Sequence, residues 1–247
     1  MKQCKVKKLM SAGLLCAGLL LALTGCRTGE NDDTKSADQT TEANTATDST
    51  EEEKANGLTF PYVLDDGQLQ VNSVFSSDID NPDADDQYAD GIISIELENV
   101  STSTLTDASL TLTAENGQTV EFHVEYLPAG KKAWAFALDN TTLEDVGAEN
   151  DIITEAIEVV STYDNTDLLD SDEITVSVEG TTVTLTNKSS EDKTNLNVSC
   201  HCNLDDVYYG GMVYTYTADS LPAGETTTID ASDCFLGTAE VVCIEEK

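Results

Sequence analysis

Val120-Glu121-Phe122-His123-Val124-Glu125-Tyr126 places an apolar side chain at every second position, with a polar one between each pair. Successive side chains of an extended chain point to opposite faces, so this spacing builds one buried face and one wet face. The same period recurs on either side. Ile93, Ile95 and Leu97 alternate with Ser94, Glu96 and Glu98. Leu110 and Leu112 alternate with threonines, and Trp134, Phe136 and Leu138 with alanines. Asn-Val-Ser at 99–101, Glu-Asn-Gly at 115–117 and Pro-Ala-Gly at 128–130 supply residues that favour turns. No amphipathic helix longer than a turn or two is legible. The reading is an all-β chain of half-buried antiparallel strands.

The elements then return in the same order. Ile95-Glu-Leu-Glu-Asn-Val-Ser101 matches Val183-Thr-Leu-Thr-Asn-Lys-Ser189. Leu127-Pro-Ala-Gly130 matches Leu221-Pro-Ala-Gly224, and Glu158-Val-Val160 matches Glu240-Val-Val242. The offsets are 88, 94 and 82 residues, so loop lengths differ while the order holds. The second copy has more residues between its Asn-x-Ser turn and its Leu-Pro-Ala-Gly turn; the first is longer after that turn. Two tandem antiparallel β-sandwich domains are expected, at 58–165 and 166–247. Strand, Asn-x-Ser turn, strand, then Leu-Pro-x-Gly before another strand resembles bacterial immunoglobulin-like modules of the FxLYD type, although the Phe-x-Leu-Tyr-Asp signature itself is absent. That resemblance implies adhesion, scaffold or ligand-binding units.

The N-terminus has the parts of an export signal. Lys2, Lys5, Lys7 and Lys8 precede an uncharged, mostly apolar stretch from Leu9 to Leu23, which is 15 residues long. This is short for a spanning helix, which needs about 20 residues. Leu23-Thr-Gly-Cys26 follows and resembles the lipobox of bacterial lipoproteins. The resemblance implies a signal peptide at 1–25, lipidation of Cys26, and attachment to the extracytoplasmic face of the cell membrane through the lipid. Two or more acyl chains give stable retention without a transmembrane helix. Residues 26–57 carry the lipidated cysteine and a run of Thr, Asp, Glu, Ser, Ala and Asn. Such a segment buries too little apolar surface to offset chain entropy, so a disordered acidic linker is expected there.

Removing residues 1–25 takes four of the twelve basic residues and none of the 47 acidic ones. Eight basic and 47 acidic residues remain, a net charge of −39. That charge repels phosphate backbones and excludes nucleic acid as a partner.

Four cysteines lie beyond the lipobox: Cys200, Cys202, Cys234 and Cys243. An even number in an exported domain suggests two disulfides, and four cysteines allow three pairings. Leu196, Val198, Cys200 and Cys202 share one face of their strand and His201 takes the other. The thiols therefore point inward and the imidazole outward, so the Cys-His-Cys triplet cannot grip one metal ion. A bond between Cys200 and Cys202 would be strained. Each is expected near Cys234 or Cys243. His123, between Glu121 and Glu125, reads as a solvated residue of a polar strand face. The acidic run from Ser77 to Asp90 offers Asp78, Asp80, Asp83, Asp85, Asp86 and Asp90 as hard oxygen donors, candidate ligands for calcium. Its spacing is not that of an EF-hand. The alternative is a solvated acidic loop.

No nucleophile elbow, phosphate-cradling glycine loop or distinguishable carboxylate pair is present. The expected function is that of a non-enzymatic binding, adhesion or scaffold lipoprotein. Its protein or cell-envelope partner is not identified, and calcium is its one candidate cofactor. The alternative is an accessory subunit or enzyme of a cell-envelope machine that uses unidentified carboxylates.

Overall fold

The computed structural model describes residues 57–84, 88–149, 151–166, 168–169 and 172–247. The signal segment, Cys26, the acidic linker up to residue 56, and Asp85 and Asp86 of the acidic run lie outside the described residues. The described residues form fourteen strands: β1 (Tyr62–Leu64), β2 (Leu69–Asp80), β3 (Tyr88–Asn99), β4 (Thr104–Ala114), β5 (Thr119–Leu127), β6 (Lys132–Phe136), β7 (Thr154–Asp164), β8 (Ile174–Glu179), β9 (Thr182–Asn187), β10 (Lys193–Leu204), β11 (Val207–Tyr209), β12 (Tyr214–Leu221), β13 (Thr226–Asp230) and β14 (Thr238–Glu246). The fold is all-β, and its antiparallel sheets form a sandwich-like arrangement.

Period-two patterning places the side chains of β5 as read, but not those of β6, where Ala133 and Ala135 are fully buried and Trp134 only partly. In β5, Val120, Phe122 and Val124 are fully buried while Glu121 is exposed. Ile93, Ile95 and Leu97 of β3 and Leu110 and Leu112 of β4 are buried with them. Burying one such aliphatic or aromatic side chain contributes about 1.5–3 kcal/mol, so these faces drive the layers together.

Strand pairing repeats along the chain. β3 lies between β2 and β6, and β4 between β5 and β7. Later, β9 lies between β8 and β13, and β10 between β12 and β14. The repeated Asn-x-Ser and Leu-Pro-Ala-Gly turns meet in the same way in both copies. Asn99, fully buried, donates from Nδ2 to the carbonyls of Ser103 (2.8 Å) and Leu127 (2.7 Å) and receives the Ser101 hydroxyl (2.7 Å). Asn187, equally buried, donates to Glu191 (2.7 Å) and Leu221 (2.9 Å) and receives Ser189 (2.7 Å). The Gly130 N–H bonds the Asn99 carbonyl, and the Gly224 N–H bonds that of Asn187. One asparagine side chain thus holds both turns together in each copy.

The extra residues of the second copy form β11. Asp205 and Asp206, both in the left-handed region, turn the chain back so that β11 pairs antiparallel with the end of β10. Its other edge pairs in parallel with β6: Val207 with Lys132, Tyr208 with Ala133 and Tyr209 with Trp134. A single eight-stranded sheet therefore runs from β1 through β6 and β11 to β10, β12 and β14. Each half of the chain also keeps its own three-stranded sheet, β5-β4-β7 or β13-β9-β8.

Candidate functional site

The outward face of the β4–β5 pair carries a cluster set by register. Ser109 lies opposite His123 and Asp107 opposite Glu125. His123 and Glu125 are two apart on one strand, so all four side chains share a face. His123 Nε2 is 3.3 Å from Asp107 Oδ2 and 3.8 Å from Glu125 Oε1. Its other ring nitrogen, Nδ1, is 3.3 Å from Ser109 Oγ. One ligand atom from each of Asp107, His123 and Glu125 lies within 4.8 Å of the others. Glu125 is further fixed because its Oε2 accepts the Val213 N–H at 3.1 Å.

Beside this cluster the second half of the chain closes against β5. The Glu125 N–H donates to the Gly211 carbonyl (2.9 Å), and His201 Nε2 donates to the Glu125 carbonyl (2.7 Å). His201 is on the opposite face of β10 from Cys200 and Cys202, as alternation requires. That outward face is nevertheless not solvent, because β5 covers it, and His201 is fully buried. Its ring stacks on Tyr208 with centroids 4.2 Å apart. Burial lowers its pKa to about 4, only partly opposed by the bond to Glu125. His201 is therefore a neutral ring, and its buried Nδ1 has no hydrogen-bond partner among the described residues. Tyr208 donates its hydroxyl to Glu240 (2.8 Å), and Lys131, from the other half of the chain, pairs with the same carboxylate at 2.8 Å. Burial raises the Glu240 pKa, but bonds from Lys131, Asn203 and Tyr208 outweigh it and hold the group below its ordinary value.

Asp83 takes a different role from the expected calcium ligand. Its carboxylate accepts the backbone N–H groups of Phe136 (2.9 Å), Gly211 (2.8 Å) and Met212 (3.1 Å), and the residue is buried. Burial raises its pKa to about 6, against the pull of those donors. Those donors occupy both carboxylate oxygens. Asp78 Oδ1 instead accepts the Gly91 N–H. Among the described residues, Asp78, Asp80, Asp83 and Asp90 do not converge as a ligand set. Asp78 and Asp80 share an exposed face of β2, whereas Asp83, in the turn that follows, points inward and is consumed by main-chain donors.

The cysteines meet part of the expectation: Cys200 and Cys202 are buried and both lie beside Cys234, but no disulfide joins them. All four are free and buried. Cys202 meets Cys234 in a thiol–thiol hydrogen bond, which raises the Cys202 pKa and lowers that of Cys234. Burial, with Cys234 nearby, pushes Cys200 up to about 12. Cys243, however, contacts the Tyr126 hydroxyl of the first half of the chain, and burial pushes its thiol up to about 11. A bulge explains this placement. Ser199 pairs with Cys243 but Cys200 with Val241, so Val242 is extra and Cys243 rotates to the face of Ser199 and His201. It cannot partner Cys200 or Cys202.

The carboxylates lining two surface concavities, Asp139 with Asp145 and Asp151, are exposed. No family model matches the chain, and no curated protein matches it.

Proposed function

We propose that this chain is a lipid-anchored extracytoplasmic lipoprotein whose β-sandwich part acts as a non-enzymatic binding, adhesion or scaffold unit. The observation that carries the reading is Leu23-Thr-Gly-Cys26 directly after a basic and then apolar N-terminus. The acidic linker suits a spacer between lipid and folded part, because its like charges repel and extend it. The resemblance of the turns to immunoglobulin-like modules supports a binding role, as does the exposure of the carboxylates that line the two concavities. Growth with an alkyne-tagged fatty acid tests the anchor: the wild-type chain takes up label, and Cys26→Ala does not. Label retained at normal level in Cys26→Ala overturns the reading.

On that same reading, export brings Cys202 and Cys234 into an oxidising compartment. The pair then loses two protons and two electrons to a disulfide oxidant and closes into one disulfide, while Cys200 and Cys243 stay reduced. The loop closed is about 30 residues long, for which the chain-entropy model gives about 3–4 kcal/mol of stabilisation. Thiol alkylation of the unfolded, non-reduced exported protein should label Cys200 and Cys243 alone; labelling of all four refutes the disulfide.

A further inference from the structure

We propose that Asp107, His123 and Glu125 form a binding site for a divalent first-row transition ion of the zinc class. Two carboxylates directly opposite each other on neighbouring strands repel, and something positive between them relieves the cost. Asp107 and Glu125 stand in that relation, with His123 Nε2 between them at 3.3 and 3.8 Å. With the Nδ1 proton directed at Ser109 Oγ, Nε2 offers its lone pair on the side of both carboxylates. A hydroxyl or carbonyl that orients the far nitrogen is the usual support of a metal-bound imidazole. Glu125 has matching support: the Val213 N–H holds Oε2, leaving Oε1 turned toward the ring.

One imidazole and two carboxylates suit zinc and its neighbours better than calcium or magnesium, which favour all-oxygen sites. Three protein ligands leave further positions for water or for a donor from another molecule. Asp107 is half-exposed, so those positions face solvent. The net charge of the chain raises the local concentration of cations. Glu125 also bonds the 211–213 segment through its N–H and its side chain, so the ion would brace both halves of the chain.

The test is zinc titration of the full chain in detergent, followed by calorimetry, at about 0.3 M salt to screen diffuse attraction. The expected result is one ion per chain, with affinity at least tenfold weaker in His123→Gln and in Asp107→Asn. Asp107 is exposed enough that its variant retains the fold, checked by an unchanged melting midpoint in chelator. A second readout is the Val213 amide, whose hydrogen exchange should slow with zinc in the wild type alone. Zinc bound with equal affinity by both variants assigns it to the thiols or to the general acidic surface and overturns the site, as does no binding by the wild type.

Discussion

Asp83 and His201 are buried titratable side chains where the two halves of the chain meet, and their pKa shifts act on stability with opposite sign. Asp83 has an ordinary pKa of 3.8 when exposed and about 6 when folded. Between those values the native state holds more protons than the unfolded state, so stability falls as pH rises. Its contribution is complete below about pH 4 and lost through pH 6. His201 goes from 6.5 to about 4 on folding. Between those values the unfolded state holds more protons, so its contribution is complete above 6.5 and lost as pH falls toward 4. Unfolding midpoints from pH 4 to 7 separate the two. The stability gap between wild type and Asp83→Asn should narrow as pH rises; that between wild type and His201→Gln should widen. The opposite trend in either series refutes the assignment. Asp83→Ala should cost about 2 kcal/mol or more below about pH 4, because the buried Phe136 and Gly211 N–H groups lose their acceptor at about 1–3 kcal/mol each. None of this was legible in the acidic run, where Asp83 looks like its neighbours. Only the Asn81-Pro82-Asp83 turn, in which Asn81 Oδ1 accepts the Asp83 N–H, sets it apart.

At the scale of elements, the Asn-x-Ser turns make a paired experiment. Asn99 and Asn187 each satisfy one buried carbonyl, one part-buried carbonyl and a serine hydroxyl in matching geometry. Asn99→Ala and Asn187→Ala should therefore destabilise by similar amounts, about 1–3 kcal/mol, since each leaves one buried carbonyl unpaired. Denaturant melts would show this, and a harmless substitution at either site would break the equivalence. The strands and the repeat were readable because period-two patterning and turn residues are local properties. Side-chain faces were readable only while strands stayed regular: Cys200 and Cys202 point as alternation requires, but the bulge at Val242 sends Cys243 the other way. The Asp107–His123–Glu125 cluster was half readable. His123 and Glu125 share a face by spacing alone, whereas Asp107 joins them through a cross-strand register that one strand does not encode.

For the whole molecule, the decisive element is β11. The longer interval between turns in the second copy was visible as a count of residues, but its destination on β6 depends on a non-local pairing. Once paired, β11 makes one sheet of strands from both halves, and Gly210 extends the contact by donating to the Trp134 carbonyl at 3.0 Å. Gly211 permits this approach. A Cβ there would lie 2.0 Å from the His123 carbonyl oxygen and 3.1 Å from Ala135 Cβ, both on the facing half. Backbone cannot yield as a flexible side-chain tip can, so even alanine must push the 210–213 segment away from β5 and β6. That shift would also loosen the Gly211 and Met212 bonds to Asp83, the Val213 bond to Glu125 and the Glu125 bond to Gly211. Each half would retain its own three-stranded sheet and its buried asparagine, with no steric change in either. Gly211→Ala should thus cost about 3 kcal/mol and split a single cooperative melt into two steps. Calorimetry would resolve the steps, and hydrogen exchange would locate the first loss of protection at 207–213. A Gly211→Ala protein that melts in one step at the wild-type midpoint would mean that the two halves are not coupled through β11.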